Sequence, residues 1–187
     1  MSDIPTYLQD AKELLTDNGF ATGDIWYHGT SSALLNSIKI NGLKRSGDTA
    51  MKQAAKQTMA TIGNSYTESI EPIFLTQSKE LAHYWAKQTV RDRSVRIEGD
   101  ESPVVLAINL PADQLGKVKP DVGAASLLMV EGGEKFIAHI AGIYEANGLN
   151  APDIDLMKAD RQEYLNKLGM AYFDYDIDAQ YVSEVNA

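Results

Sequence analysis

The hydrophobic positions of this chain fall into two kinds of run, one with strand-like and one with helix-like spacing. Strand-like runs occupy residues 25–30, 72–76, 103–110 and the aromatic tail 170–185. Residues 103–110 are apolar almost without interruption, which is typical of a central strand buried on both faces. We therefore expect one sheet built around that strand.

Apolar residues at helical spacing predict amphipathic helices between these strands. The first is expected to start near Pro5 and to stop at Gly19, where glycine favours a helix end. The other predicted helices run from Ser31 or Ser32 to Asn41-Gly42, over residues 51–60, from the cap Ser78 to Val90, after Gly132-Gly133, and over residues 156–168. A charged, hairpin-like stretch is expected over residues 91–102.

The order of these elements favours an α+β fold, because strands and helices do not alternate as in a doubly wound sheet. We find no internal repeat and no linker in the sequence. We therefore expect a single domain over residues 1–187, with an N-terminal helix over residues 1–19 and a core over residues 25–185. The polar stretch 44–70 is long for a loop in a compact domain, and such loops are often functional lids.

Composition removes several classes of function. The 187 residues include no cysteine, which excludes disulfides, thiolate catalysis and cysteine-bound zinc. A net charge of −9 disfavours duplex nucleic acid as a partner, although Lys87, Arg91, Arg93 and Arg96 form a local basic run. With neither a signal peptide nor a membrane-length apolar stretch, we expect a cytoplasmic protein, or a toxin or effector delivered into a target cell's cytosol.

The first candidate for chemistry is His28, which follows an aromatic, β-favouring run. A lone histidine at a strand end is as often structural as functional. Its neighbours favour function: Gly29 leaves the backbone open to a ligand, and Thr30 adds a hydroxyl. The helix that follows would point its N-terminus, which attracts anions, towards the same place.

Two short motifs resemble those of the ADP-ribosyltransferase fold, which diphtheria-type toxins and poly(ADP-ribose) polymerases share. The segment Tyr27-His28-Gly29-Thr30, followed by a helix and Asn41-Gly42-Leu43, is similar to the first motif of that family. Ile73-Phe74-Leu75-Thr76, with Ala82-His83-Tyr84 on the next helix, is similar to the second. The resemblance implies a split, mixed β-sheet core with flanking helices.

The resemblance also implies a site for NAD as substrate. His28 would hold a ribose hydroxyl, the backbone of Gly29 would pair with the nicotinamide carboxamide, and Tyr84 would stack on the nicotinamide ring. Phe74 would replace the family's first tyrosine and keep its apolar wall. The remaining residues of the expected cofactor-binding set are Thr30, Thr76 and Ser78. No metal ligand set is expected from three scattered histidines.

The third motif of the family departs from its pattern here. The family's catalytic glutamate begins a strand near the C-terminus, and matching the aromatic tail puts Ala171 at that position. Asp174 is the nearest acid and the expected catalytic carboxylate, although strand alternation puts it on the opposite face unless a bulge intervenes.

These observations lead to a hypothesis with two alternatives. We expect an NAD-dependent ADP-ribosyltransferase that releases nicotinamide and modifies an unidentified acceptor, expected to be a protein. The first alternative is a catalytically inactive NAD- or ADP-ribose-binding or protein-interaction module on the same fold. The second is a protein like the RNA 2'-phosphotransferase, which also uses a His-Gly-Thr segment and NAD but carries a basic N-terminal module, whereas this N-terminal segment is acidic.

Overall fold

The computed structural model describes residues 4–121, 131–155 and 157–187. Its strands are β1 (Leu15–Thr16), β2 (Gly19–Phe20), β3 (Ile25–Ser31), β4 (Ile73–Thr76), β5 (Pro103–Asn109), β6 (Lys119–Pro120), β7 (Met170–Phe173) and β8 (Val182–Glu184). Its α-helices are α1 (Ala11–Leu14), α2 (Leu35–Asn41), α3 (Thr49–Thr61), α4 (Lys79–Ser94), α5 (Ala112–Leu115), α6 (Glu131–Ala146) and α7 (Arg161–Leu168). Short 3-10 turns cover Thr6–Leu8, Ser32–Leu34 and Ala179–Tyr181.

The main sheet has six described strands in the order β6-β7-β4-β3-β5-β8, and β1 and β2 form a separate hairpin. The α+β class is therefore confirmed. Every pairing between the described strands is antiparallel, whereas a mixed sheet was expected. The apolar run 103–110 becomes the interior strand β5, between β3 and β8.

The N-terminal segment differs from the single helix that its apolar spacing predicts. A 3-10 turn, the four-residue helix α1 and the β1–β2 hairpin replace that helix. The cause is a tertiary contact: the buried Asp10 carboxylate accepts hydrogen bonds from the Ser78 hydroxyl at 2.6 Å and the Lys79 amide at 2.7 Å. Because the Asp10 carboxylate caps the start of α4, the N-terminal segment is held against that helix. This contact outweighs the helical spacing of the segment's apolar residues.

The prediction of a hairpin-like stretch over residues 91–102 is also wrong at its start, because α4 continues to Ser94. That last turn is stabilised by Arg93, a residue that is only 4% exposed. Helix α4 crosses one face of β3 and β5, and α2 lies on the other face, where Ile38 joins the core around Trp26 and Ile108.

The sheet opens between two of its neighbouring strands. β3 pairs with β5 along its whole length, from Ile25↔Asn109 to Ser31↔Pro103. With β4, the described pairing consists of the one register pair Tyr27↔Thr76. The second half of β3, which carries His28 and Gly29, therefore separates from β4 and leaves a gap at the sheet's centre.

Within the described ranges, we find no helix with the length and apolar character that a bilayer crossing requires.

Close packing of α4 on β3 makes the stability of the fold depend on Gly29. A Cβ atom at this position would lie 2.0 Å from the Ala82 carbonyl oxygen and 2.5 Å from the Ala86 amide nitrogen. Both atoms belong to the backbone of α4, so they cannot move aside as a side chain would. We expect Gly29→Ala to lower the free energy of unfolding by about 3 kcal/mol or more, measured by urea denaturation.

Gly116→Ala is the matched control, because nothing lies within 4 Å of a Cβ there and its φ of −66° suits alanine. It should change the free energy of unfolding by less than about 1 kcal/mol. Equal effects of the two substitutions would contradict the packing argument.

Candidate functional site

A cavity of about 530 Å³ occupies the gap between β3 and β4. Its floor includes His28, Gly29 and Thr30, and its outer wall is formed by the segment that leads from α2 to β4. Its volume lies within the range typical of small-molecule sites, about 300–1,000 Å³. The opening of the sheet thus gives the first predicted motif a concave surface.

The His28 imidazole is held in one orientation. Its Nδ1 lies 2.7 Å from the Phe74 carbonyl oxygen, across the gap. A carbonyl oxygen can only accept a hydrogen bond, so Nδ1 carries the proton and donates it. Burial lowers the pKa of His28, and the hydrogen bond to Phe74 opposes that shift. The neutral ring leaves Nε2 as a hydrogen-bond acceptor.

Gly29 has two separate reasons to be glycine. Its α-hydrogen side faces α4, where a side chain would collide with the helix backbone. Its backbone also lines the cavity, next to the stretch of β3 that β4 does not cover. Thr30 lines the same cavity and is 2% exposed, whereas Ser31 caps the following turn by accepting a hydrogen bond from the Ala33 amide.

Arg93 belongs to the basic run in the sequence, but the structure buries it beside the cavity. Its Nε and Nη2 atoms donate to both oxygens of Glu101, at 2.6 and 2.9 Å, and Nη1 donates to Asp48. The hydrogen bonds with Glu101 raise the pKa of Arg93, and those from Arg93 lower the pKa of Glu101. Glu101 also accepts from the Ser31 hydroxyl, so this cluster ties the end of α4 to the end of β3 and the start of β5.

Asp48 belongs to both that cluster and the cavity wall. One of its oxygens accepts from the Met51 amide at 3.0 Å, which caps α3, and the other binds Arg93. Helix α3 confirms the helix predicted over residues 51–60, and its Met51, Lys52 and Ala55 line the cavity. The polar stretch predicted to be a lid therefore does cover this cavity.

Most charged groups around the cavity already have a partner of opposite charge. Lys44 pairs with Asp176 at 3.4 Å, and Lys52 pairs with Glu68 at 2.7 Å. Among the described residues that line the cavity, Glu71 and Arg96 have no ion-pair partner. Arg96 donates only to the backbone carbonyl of Asp92, at 3.3 Å. The residues that line the cavity thus include one with an unpaired carboxylate and one with an unpaired guanidinium.

Other predicted site residues lie elsewhere. Tyr84 is outside the residues that line the cavity, and its ring stacks on His139 at 4.4 Å between centroids. Ala82 and Ala86 face β3, and Tyr84 is two residues from each, which turns it to the far side of α4. The structure therefore brings together His28, Gly29, Thr30 and Phe74, but not Tyr84.

Thr76 and Ser78 have structural partners instead of a place on the rim. The buried Thr76 hydroxyl donates to the Ser78 carbonyl oxygen at 2.8 Å, and the Ser78 hydroxyl caps α4, as predicted. Asp174 pairs with Lys119 at 3.0 Å and does not line the cavity. Ala171 is completely buried in β7, opposite Leu75.

Comparisons with protein-family models, with curated proteins and with solved structures give no match to this chain. Within the described part of the chain, no group of three or more histidines and acids is arranged to hold a metal ion. The arrangement of the site itself therefore carries the functional argument. It offers a fixed acceptor at His28, open backbone at Gly29 and two unpaired charges of opposite sign.

The lowered pKa of His28 predicts how stability depends on pH. In the unfolded chain His28 takes up a proton as the pH falls below its ordinary pKa of 6.5, while the folded protein keeps it neutral. Its contribution to stability is therefore complete above pH 6.5 and is lost as the pH falls towards the lowered pKa. His28→Asn keeps a donor for the Phe74 carbonyl but does not titrate.

We expect this variant to reduce the dependence of the unfolding free energy on pH, below pH 6.5, by up to about 1.4 kcal/mol per pH unit. Urea denaturation at a series of pH values measures it. Some dependence should remain, because burial also lowers the pKa of His139. Identical pH profiles for the wild type and His28→Asn would show that the folded state does not hold the imidazole neutral.

Proposed function

We propose that this protein is an NAD-dependent ADP-ribosyltransferase, with an ADP-ribosyltransferase-like split sheet, and that NAD binds in the cavity between β3 and β4. The observation that carries the proposal is the His28 imidazole in the opening of the sheet, bonded to Phe74 and flanked by Gly29 backbone. The resemblance of two sequence motifs implies a place at an NAD site for the same three residues.

The polar groups of the cavity fit the parts of NAD. The Nε2 atom of His28 can accept a hydrogen bond from a ribose hydroxyl, because Nδ1 is committed to Phe74. The unpaired Arg96 guanidinium provides the charge and planar donors that suit a pyrophosphate. Among the described residues that line the cavity, Phe74 and Tyr66 have aromatic rings against which a base can stack. The prediction for Tyr84 is not part of this proposal.

The chemistry needs a group that favours positive charge on the sugar, and we assign that role to Glu71. The bond between the ribose C1' atom and the nicotinamide nitrogen breaks, and its electron pair leaves with neutral nicotinamide. The acceptor then forms a bond to C1' and loses its proton to the Glu71 carboxylate, which passes it to water. Glu71 fits because Asp48, the other described carboxylate of the cavity, is neutralised by Arg93.

A second candidate is an NAD- or ADP-ribose-binding module without catalysis. It is favoured by the position of Ala171, which is buried within the sheet where the family has its glutamate, and by the pairing of Asp174 with Lys119. Both candidates require the nucleotide to bind in the cavity, and they differ in the release of nicotinamide.

The first test is binding and turnover of NAD. The wild type should bind NAD in calorimetry and release nicotinamide on incubation. His28→Asn, which keeps the hydrogen bond to the Phe74 carbonyl but removes the Nε2 acceptor, should weaken NAD binding about tenfold. Binding of NAD or ADP-ribose without release of nicotinamide from NAD would favour the second candidate, and failure of both nucleotides to bind would reject both candidates.

The second test distinguishes a catalytic role of the Glu71 carboxylate from a general effect of negative charge in this segment. Glu71→Gln should reduce the rate of nicotinamide release at saturating NAD by about 100-fold or more, with little change in NAD affinity. Glu68→Gln is the matched control, because Glu68 lies three residues earlier but is paired with Lys52 and lies outside the cavity lining. Equal rates in the two variants would exclude Glu71 as the catalytic carboxylate.

A further inference from the structure

The cavity wall formed by residues 47–70 contributes nothing to the hydrophobic core. Not one residue from 44 to 71 is buried, although this stretch contains the 13-residue helix α3. Helices in globular proteins are usually held by an apolar face packed on the core, and α3 has no such face. We call residues 47–70 the lid, and polar contacts must hold it in place.

The two ends of the lid are joined at Ser46. Its hydroxyl donates to the Ser69 carbonyl oxygen at 3.3 Å and accepts from the Glu71 amide at 2.6 Å. Ser46 has a φ of +52°, the left-handed region that a residue other than glycine adopts at a cost of about 1–2 kcal/mol. This strained turn and its two hydrogen bonds form a narrow neck.

The lid also has its own internal fastening. Glu68 lies in the returning segment, which leads from α3 towards β4. It pairs with Lys52 at 2.7 Å and with Lys56 at 3.6 Å, both on α3. The Lys56 ammonium group also lies 5.9 Å from the centre of the Tyr66 ring. Since these contacts are all within the lid, α3 and the returning segment can move together as one body about the neck.

One side-chain contact joins this body to the rest of the protein. In the described part of the chain, Asp48 is the lid residue whose side chain makes a polar contact beyond the neck, and its partner is Arg93. Arg93 itself stays anchored, because Glu101 binds two of its nitrogen atoms. The guanidinium therefore remains paired if Asp48 leaves, whereas the lid has no second contact of this kind.

We propose that the lid opens and closes over the cavity about the Ser46 neck, and that the contact between Arg93 and Asp48 is its latch. Opening separates the partly exposed Asp48 carboxylate from the buried Arg93, which keeps Glu101 as its partner, and no side chain of the lid itself is buried. Its cost is therefore small compared with unfolding, and opening admits ligands to the cavity. This proposal is independent of the identity of the ligand.

The experiment uses the absence of cysteine from the chain. Thr89 lines the cavity from α4, so a single thiol introduced by Thr89→Cys reports when a bulky maleimide can enter. Asp48→Asn removes the charge of the latch but keeps an amide oxygen that caps α3 about as well as a carboxylate. Adding Asp48→Asn to Thr89→Cys should increase the labelling rate about tenfold, the difference between a charge-assisted and a neutral hydrogen bond.

Two controls make the result specific. Asp176→Asn removes the charge that pairs with Lys44 outside the lid, and it should leave the labelling of Thr89→Cys unchanged. Asp113→Cys, exposed on α5, should react equally fast with and without Asp48→Asn. Hydrogen exchange of the apo protein should accelerate in α3 and not in α4 or β3.

Three results would contradict the proposal that the contact between Arg93 and Asp48 is a latch. The first is an unchanged labelling rate of Thr89→Cys in the Asp48→Asn background. The second is an equal increase with Asp176→Asn, which would mean that any lost charge loosens the segment. The third is faster exchange throughout α4 and β3, which would show that Asp48 supports the whole fold instead of the lid.

Discussion

The burial of one guanidinium, that of Arg93, decides how the parts of this site meet. A charge that is 4% exposed is tolerated only when it is paired and its donors are satisfied. Glu101, Asp48 and, through Glu101, the Ser31 hydroxyl provide that environment. The end of α4, the end of β3, the start of β5 and the lid must therefore converge on the same point.

That convergence also explains the cavity. Helix α4 is anchored at its start by the Asp10 carboxylate and at its end by Arg93, and between them it lies directly on Gly29. β3 is held against α4 and β5, so it cannot follow β4, and the sheet separates after Tyr27. The His28 ring bridges the strands at the start of this gap through its hydrogen bond to Phe74, and the remaining space is the cavity.

The sequence predicted the elements whose signals are local. The apolar run of β5, the Ser78 cap of α4 and the turn at Gly42, with its φ of +75°, all depend on neighbouring residues. It did not predict the role of Arg93, because its partners lie 45 and 8 residues away and leave no pattern in the basic run. The prediction of an N-terminal helix was wrong for the same reason, because the Asp10 carboxylate caps a helix that begins 69 residues later.

The candidate site shows the same division between local and distant information. His28, Gly29 and Thr30 are consecutive on one strand, so a motif of three residues could place them together in the cavity. The position of Tyr84 depends on how α4 is rotated about its axis. Close packing of Ala82 and Ala86 on β3 turns Tyr84 away from that strand. Glu71 and Arg96 carry no motif, and what distinguishes them is that their charges have no partner.

The absence of an acid at position 171 follows from the sheet's own packing. Ala171 is fully buried opposite Leu75 and belongs to the same apolar core as Phe173. A carboxylate there would have to give up its hydration, at a cost of several kcal/mol. A sheet packed in this way can keep its core only if any carboxylate that serves the cavity comes from a solvated segment. Glu71 meets that condition, because it is exposed yet fixed between the Ser46 neck and the rigid Pro72.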